Sequence, residues 1–579
     1  LRTERLAVLV LVAAAACAPR PKEHGTTLHL AGLLGTPQPM GVPLVQAGEG
    51  WLGGPRDVTR PTLSLADGEH RSCRVRTGTG AALVFSLALS APSPGDWTLE
   101  VAAGGAPVAT EALSAKRWNL WTPFVVPLPA GAVDLRLTAH REGEGAGTTL
   151  LLGAPRIERR PTERAPRVIV WISQDALGAG HLDAYGYPRS TTPFFTRRAK
   201  DMVLFEDAVA PATWTLPSLA STFTSRYPPF HGAVLEEVAR DQSTPTLFQV
   251  LSSEGFTTLA VTGNRFVGPY FHMVDGLDAV FYTPGHADDI VGRAEEALDE
   301  WQGGDLVLFV HFMDTHFPYE PPAPYATAFD QGYPGPYDGR TFFANRDRLK
   351  PRDVEHVRAL YDGAALFADD QIRRLLEVLR SRGIPGDAVS VYTADHGEGF
   401  LEHGRFLHAG TVYTELTRVP FALSLPGAVP RRIRDVVSLV DLAPTLLDAF
   451  GIPAPPSFSG RSLLPLVRGG GLPARPALSE TQVTNNNKFW KVAACDPSSC
   501  LLVKLPRGAD PADGLTTEER FDRRTDPGET TPLPPQDGAL RTFVRAYLRA
   551  AHAQAAPSSK AEMPPDVRER LRALGYLHD

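Results

Sequence analysis

Two uninterrupted apolar runs, Val168-Ile169-Val170-Trp171-Ile172 and Leu306-Val307-Leu308-Phe309-Val310, constrain this chain more than any other feature. Successive apolar residues leave no strand face for water, so each run predicts a strand buried on both sides, as in parallel sheets covered by helices. Residues 354 to 380 supply matching helical periodicity through Val357, Leu360, Ala364, Phe367, Ile372, Leu375 and Leu379. From residue 161 onward the pattern therefore predicts an α/β layer fold. Reactive groups in such sheets gather where the strands end at their carboxyl side.

Three predicted strand ends carry concentrated polar chemistry: Ser173-Gln174-Asp175, Met313-Asp314-Thr315-His316, and Ala394-Asp395-His396-Gly397-Glu398. Carboxylates and imidazoles converging on one sheet edge form a donor set for a divalent cation. Taken alone, Asp175 reads as a turn former or helix cap. Adjacent Asp395 and His396, followed by a glycine that permits close backbone approach, point to a ligand. A fourth segment, Thr215-Leu216-Pro217-Ser218-Leu219, has proline just inside an apolar stretch, which places Thr215 at a helix N-terminus.

The 579-residue chain exceeds the roughly 250–300 residues at which single cores stop growing, so more than one domain is expected. Residues 30 to 160 show short alternating runs, such as Trp97-Thr98-Leu99-Glu100-Val101, between Gly, Pro and Asp, which predicts an all-β sandwich. Trp51, Trp97, Trp118 and Trp121 are either carbohydrate platforms in that module or core residues. With 58 Lys+Arg against 65 Asp+Glu and no basic block, nucleic acid is not an expected partner.

Arg2 and Arg5 precede an apolar run from Leu6 to Ala16 that is too short to span a bilayer and reads as an export signal over residues 1–17. The small residues before Cys17 resemble a bacterial lipobox, which implies a lipid-anchored cell-envelope protein with a polar tether over 18–29. Export permits disulfides, and Cys495 and Cys500 bracket the turn-forming Asp-Pro-Ser-Ser, so this pair is expected to close locally. Cys73 is expected to be a buried, unpaired core residue. Residues 567–576 read as a short amphipathic helix within a 531–579 tail.

Ordered motifs from about Arg167 to Thr530 resemble the sulfatases of the alkaline phosphatase superfamily. They comprise Asp175 with His181-Leu182-Asp183-Ala184-Tyr185-Gly186-Tyr187-Pro188-Arg189, the segment His311 to Tyr319, and Thr393 to Glu398 with Leu407-His408-Ala409-Gly410. Val440 to Leu447 and Phe521 to Glu529 resemble the C-terminal subdomain. The resemblance implies a mostly parallel sheet between helices over 161–430 and a smaller α+β subdomain over 431–530. It further implies one divalent metal ion (Ca, Mg, Mn or Zn) held by Asp175, Asp395 and His396 facing Thr215, with His316 and His408 contacting the ester or protonating its leaving group.

The chain departs from the family where a sulfatase carries Cys or Ser followed by x-Pro-Ser-Arg. Thr215 has a secondary alcohol that cannot become the formylglycine aldehyde, Leu219 supplies no cation, and Ala176 stands where many relatives have a second carboxylate. The set Asp175, Thr215, Asp395 and His396 is closer to phosphonate ester hydrolases and phosphoethanolamine transferases. The expected activity is hydrolysis of an anionic ester, on a polysaccharide or lipid, with Thr215 as nucleophile and phosphoester favoured over sulfate. The alternatives are a phospho-substituent transferase and a catalytically silent glycan-binding lipoprotein.

Overall fold

The computed structural model describes residues 27–36, 38–43, 57–118, 120–143, 147–159, 161, 164–482, 488–509, 515–534, 536–557 and 559–573. Cys17 and Trp51, and with them the export signal and lipobox, lie outside these residues.

The two apolar runs become neighbouring strands at the centre of the molecule. Val168–Gln174 is flanked by Leu306–Phe312 and Val389–Ala394 and is parallel to both, with Ile169 beside Val307 and Val389. Thr257–Thr262 and Ala279–Tyr282 continue the parallel arrangement beyond Leu306–Phe312. On the opposite side, Arg418–Ser424 runs antiparallel between Val389–Ala394 and Val203–Val209, and Arg431–Ser438 closes that edge. Helices cover both faces, which is why the runs contain no polar interruption. Trp171 meets Phe223 of helix Thr215–Thr224 and Phe248 of helix Leu247–Ser253 on one face. Tyr392 stacks on Phe195 on the other, the side where helix Pro193–Arg198 packs against the long helix Pro351–Ser381.

The N-terminal module forms two β layers, and one of them is shared. Asp57–Leu65 pairs antiparallel with Ala279–Tyr282, so strands Leu150–Glu158, Ala82–Leu89 and Thr122–Pro127 extend the central sheet into one 14-stranded surface. The second layer is the four-stranded sheet of His70–Thr77, Gly131–Arg141, Trp97–Ala103 and Ala106–Leu113. The join has a physical reason: Ala279–Tyr282 would otherwise end the parallel sheet with a row of unpaired backbone groups. Trp97 and Trp121 are buried and Trp118 packs against the core between the two layers, so these three are not exposed platforms. Cys73 is half-buried at the margin of that core.

The C-terminal subdomain is an antiparallel sheet of Ala477–Thr481, Phe489–Cys495, Ser499–Pro506 and Thr517–Asp522, with helix Ala539–Gln554 packed on one face through Val544 and Leu548. Cys495 and Cys500 are cross-strand partners joined by a disulfide at the hairpin end. Helix Pro565–Ala573 lies near the chain end. None of the helices among the described residues is long and apolar enough to cross a membrane.

Candidate active site

The strand order brings the predicted strand ends together. Asp175 leaves Val168–Gln174 and Asp395 leaves the neighbouring Val389–Ala394, so their carboxylates emerge side by side at one sheet edge. Ala176 takes a left-handed conformation with φ 58°, donates its N–H to Asp395 Oδ1 at 3.2 Å, and accepts from Tyr361 Oη at 2.7 Å. At this position, where the chain departs from the family, the backbone amide of Ala176 holds Asp395.

Thr215 opens its helix, with the extended Trp214 preceding it, and every residue of that helix is buried. Its Oγ1 lies 3.4 Å from Asp175 Oδ1, 3.3 Å from Asp175 Oδ2 and 3.4 Å from His396 Nε2. His396 Nε2 lies 3.3 Å from Asp175 Oδ1 and 3.5 Å from Asp395 Oδ2, and its Nδ1 donates to Gly397 O at 2.9 Å, which turns Nε2 inward. The His408 ring is 4.4 Å from the His396 ring and 4.9 Å from the His316 ring. All the residues expected at the site therefore share one buried cluster.

Two participants were missed. Asn264 donates from Nδ2 to Asp175 Oδ2 at 2.8 Å and reaches Thr215 Oγ1 at 3.4 Å. It lies just past strand Thr257–Thr262, where an uncharged amide does not stand out from a turn. His311 Nε2 lies 3.9 Å from both Asp175 Oδ2 and Asp395 Oδ2. His311 is the one ionisable residue in strand Leu306–Phe312, and that polar interruption was the available signal.

Asp175, His311 and Asp395 offer ligand atoms within 4.8 Å of one another. His311 Nε2 and Asp395 Oδ2 are buried without a hydrogen-bond partner, although such atoms are normally satisfied. The donor chemistry therefore fits a divalent cation.

Protonation follows burial and proximity. Burial raises Asp395 and the adjacent Asp175 charge raises it further, whereas Asp175 is held low, against its own burial, by His316, His396 and His311. His396, despite burial, is raised to about 9 by Asp395 and Asp175. Burial lowers His311 and His316 to about 4, and burial followed by the His396 charge lowers His408. Two carboxylates, two ring nitrogens and a hydroxyl in one buried cluster can hold a cation, activate an alcohol and manage a leaving-group proton.

A mostly parallel sheet between helices, with a Thr/Asp/His cluster at its strand ends, defines an alkaline-phosphatase-like α/β protein. Residues 167–452, just under half of the chain, match the sulfatase family model. The chain is 33% identical over 120 residues to human arylsulfatase K, covering 21% of this chain and 22% of that protein. It is 34% identical over 184 residues to arylsulfatase K of Xenopus laevis, covering 28% and 34%. The chain thus spans only a fifth to a third of the length of these curated relatives. Among solved structures, a 2-O GAG sulfatase superimposes with TM-score 0.56 at 18% identity, over 70% of this chain and 96% of that one. A phosphonate monoester hydrolase of Agrobacterium radiobacter gives 0.54 at 19% identity, over 67% and 96%.

Proposed function

We propose that this chain is a metal-dependent hydrolase of anionic esters in which Thr215 is the nucleophile, with phosphate or phosphonate esters favoured over sulfate esters. The observation that carries the reading is the 3.3 Å approach of Thr215 Oγ1 to Asp175 within a buried cluster of carboxylates and imidazoles. A secondary alcohol cannot be oxidised to an aldehyde, so the hydroxyl itself is left to attack. Asp175, Asp395, His311 and His396 would hold the cation, which supplies Lewis acidity that lowers the pKa of a nearby hydroxyl and offsets charge on the ester.

The chain's own groups account for the remaining requirements. The helix N-terminus at Thr215 presents its dipole to developing negative charge. Asn264 anchors Asp175 and reaches the Thr215 oxygen, fixing the hydroxyl between strand ends. His316 and His408 flank the same pocket and deliver or accept the proton of the departing alcohol. The sulfatase-family domain and the likeness of the fold to both a sulfatase and a phosphonate monoester hydrolase support ester hydrolysis as the reaction class. Export to the cell envelope is part of the same proposal and is supported by the Cys495–Cys500 disulfide; intact mass of membrane-fraction protein tests lipidation of Cys17.

Purified protein should be assayed with p-nitrophenyl sulfate, phosphate, phosphodiester and phosphonate esters across Zn, Mn, Ca and Mg. Phosphorus esters turning over faster than the sulfate, with loss of turnover in Thr215→Ala, is the expected result. Full activity in Thr215→Ala would overturn the nucleophile, and silence on all four substrates would favour a binding protein.

A further inference from the structure

His408 Nδ1 lies 3.0 Å from Glu398 Oε1, and the two side chains are 7% and 0% exposed. Glu398 sits two residues beyond His396, just past the end of strand Val389–Ala394. Its second oxygen, Oε2, is buried without a hydrogen-bond partner. A carboxyl group kept in such surroundings costs stability, so its presence calls for a role that a smaller apolar residue could not fill.

The loop that carries His408 is built at similar expense. Leu407 and Ala409, on either side of the histidine, have φ of 63° and 73°, a left-handed conformation that non-glycine residues adopt only where contacts enforce it. It persists because three contacts determine it: Ala409 N–H donates to Thr213 O at 2.8 Å, Thr481 Oγ1 donates to Ala409 O at 2.6 Å, and Lys491 Nζ donates to Gly410 O at 2.8 Å. Thr213 is two residues before Thr215, while Thr481 and Lys491 face each other in the C-terminal sheet. The His408 backbone is therefore clamped between the nucleophile segment and the C-terminal subdomain, and Glu398 meets its ring at Nδ1.

We propose that Glu398 is a positioning residue for His408, fixing its ring and placing the proton on Nδ1 so that Nε2 faces the reacting ester. This rests on the hydrolase reading above. A carboxylate that accepts from one ring nitrogen selects the tautomer and stabilises the imidazolium formed when the other nitrogen takes a proton. In the first half-reaction the bond from Thr215 Oγ1 to phosphorus forms as the bond to the leaving oxygen breaks; His408 Nε2 takes the Thr215 proton and passes it to the leaving oxygen, which keeps the electron pair of the broken bond. In the second, Nε2 takes a proton from the attacking water and returns it to Thr215 Oγ1 as the bond from that oxygen to phosphorus breaks.

Leaving-group dependence separates this role from a structural one. An ester with a good leaving group, p-nitrophenol, needs little protonation, whereas the phenyl ester of the same acid needs it fully. Both His408→Ala and Glu398→Gln are expected to lose roughly 100-fold or more on the phenyl ester and less than about 10-fold on the p-nitrophenyl ester. Glu398→Asp, which keeps the carboxylate, should recover part of the loss. Equal losses on both esters in a Glu398→Gln protein with a native melting temperature would overturn the proposal. A second measurement does not depend on turnover: nitrogen-15 chemical shifts of labelled histidine should show the His408 proton on Nδ1 in wild type and moved to Nε2 in Glu398→Ala. An unchanged tautomer overturns the proposal even if the chain hydrolyses none of the esters, whereas no turnover with the expected tautomer change counts against the hydrolase reading alone.

Discussion

Thr215 Oγ1 lies 3.3 Å from Asp175 Oδ2, joining a helix N-terminus to the end of the strand Val168–Gln174. If this hydroxyl attacks the ester, Thr215→Ser keeps the reacting oxygen and should retain activity within about 10-fold. Thr215→Val keeps the volume but loses the oxygen and should lose on the order of 1000-fold or more in kcat. Asn264 still satisfies Asp175 in the valine variant, so melting temperatures of the two proteins should be similar. Steady-state kinetics beside thermal unfolding reads both; equal activity of Thr215→Val and Thr215→Ser would remove the hydroxyl from the chemistry.

Asp175 and Asp395 share a buried cluster in which burial and the Asp175 charge disfavour ionisation of Asp395. A bound cation converts that repulsion into attraction. In chelator, Asp395→Asn should therefore melt at or above the wild-type temperature, because one buried charge is gone. With added Zn or Mn, wild type should be stabilised by about 2.7 kcal/mol at a hundredfold excess over Kd, and Asp395→Asn should not. Calorimetry with elemental analysis checks this, and equal metal content in the two proteins would remove Asp395 from the site.

The parts of this site that the sequence displays are those whose chemistry contradicts their surroundings. Asp175, Asp395 and His396 follow apolar runs, and Thr215 interrupts a recognisable motif, so each stands out. Asn264 does not, because an uncharged amide after Thr257–Thr262 looks like any turn residue. The role of His311 depends on which strands are neighbours, and it points at both carboxylates only because Leu306–Phe312 lies beside Val168–Gln174. The layer shared between the N-terminal module and the central sheet is hidden for a similar reason. Thr59 meets Val280 across more than two hundred residues of chain, a pairing that alternation within either strand does not encode.

That shared layer has its own weak point. Arg60 is buried against the rings of Trp121 and Phe281 and pairs with Glu300. Removing one partner leaves an uncompensated buried charge, so Glu300→Ala should cost about 3–5 kcal/mol. Arg60→Met combined with Glu300→Leu should recover most of that loss. Gly153 lies directly beneath: an added Cβ would sit 2.7 Å from Trp121 and 2.8 Å from Arg60. Gly153→Ala should therefore destabilise by about 1–3 kcal/mol through overpacking. Urea unfolding curves give the comparison, and additive losses in the Arg60/Glu300 double variant would refute the pair.

His29 Nδ1 pairs with Asp278 at 2.9 Å, tying the first described strand to the strand Thr257–Thr262 region through a second bond from His29 Nε2 to Phe256 O at 3.0 Å. Burial alone would lower His29, but the Asp278 charge and hydrogen bond raise it above 6.5, and Asp278 is lowered below 3.8 in spite of burial by the same pair. The folded state therefore holds a proton on His29 more tightly than the unfolded chain does. That contribution is complete below pH 6.5 and is lost as pH rises through the higher folded value; the Asp278 contribution is complete above 3.8 and is lost as pH falls through its lower one. Stability should thus decline on the alkaline side, and His29→Gln should flatten that slope while leaving the catalytic cluster untouched. Unfolding free energies measured from pH 5 to pH 9 decide the point, because identical slopes in wild type and His29→Gln would show that the pair does not titrate with folding.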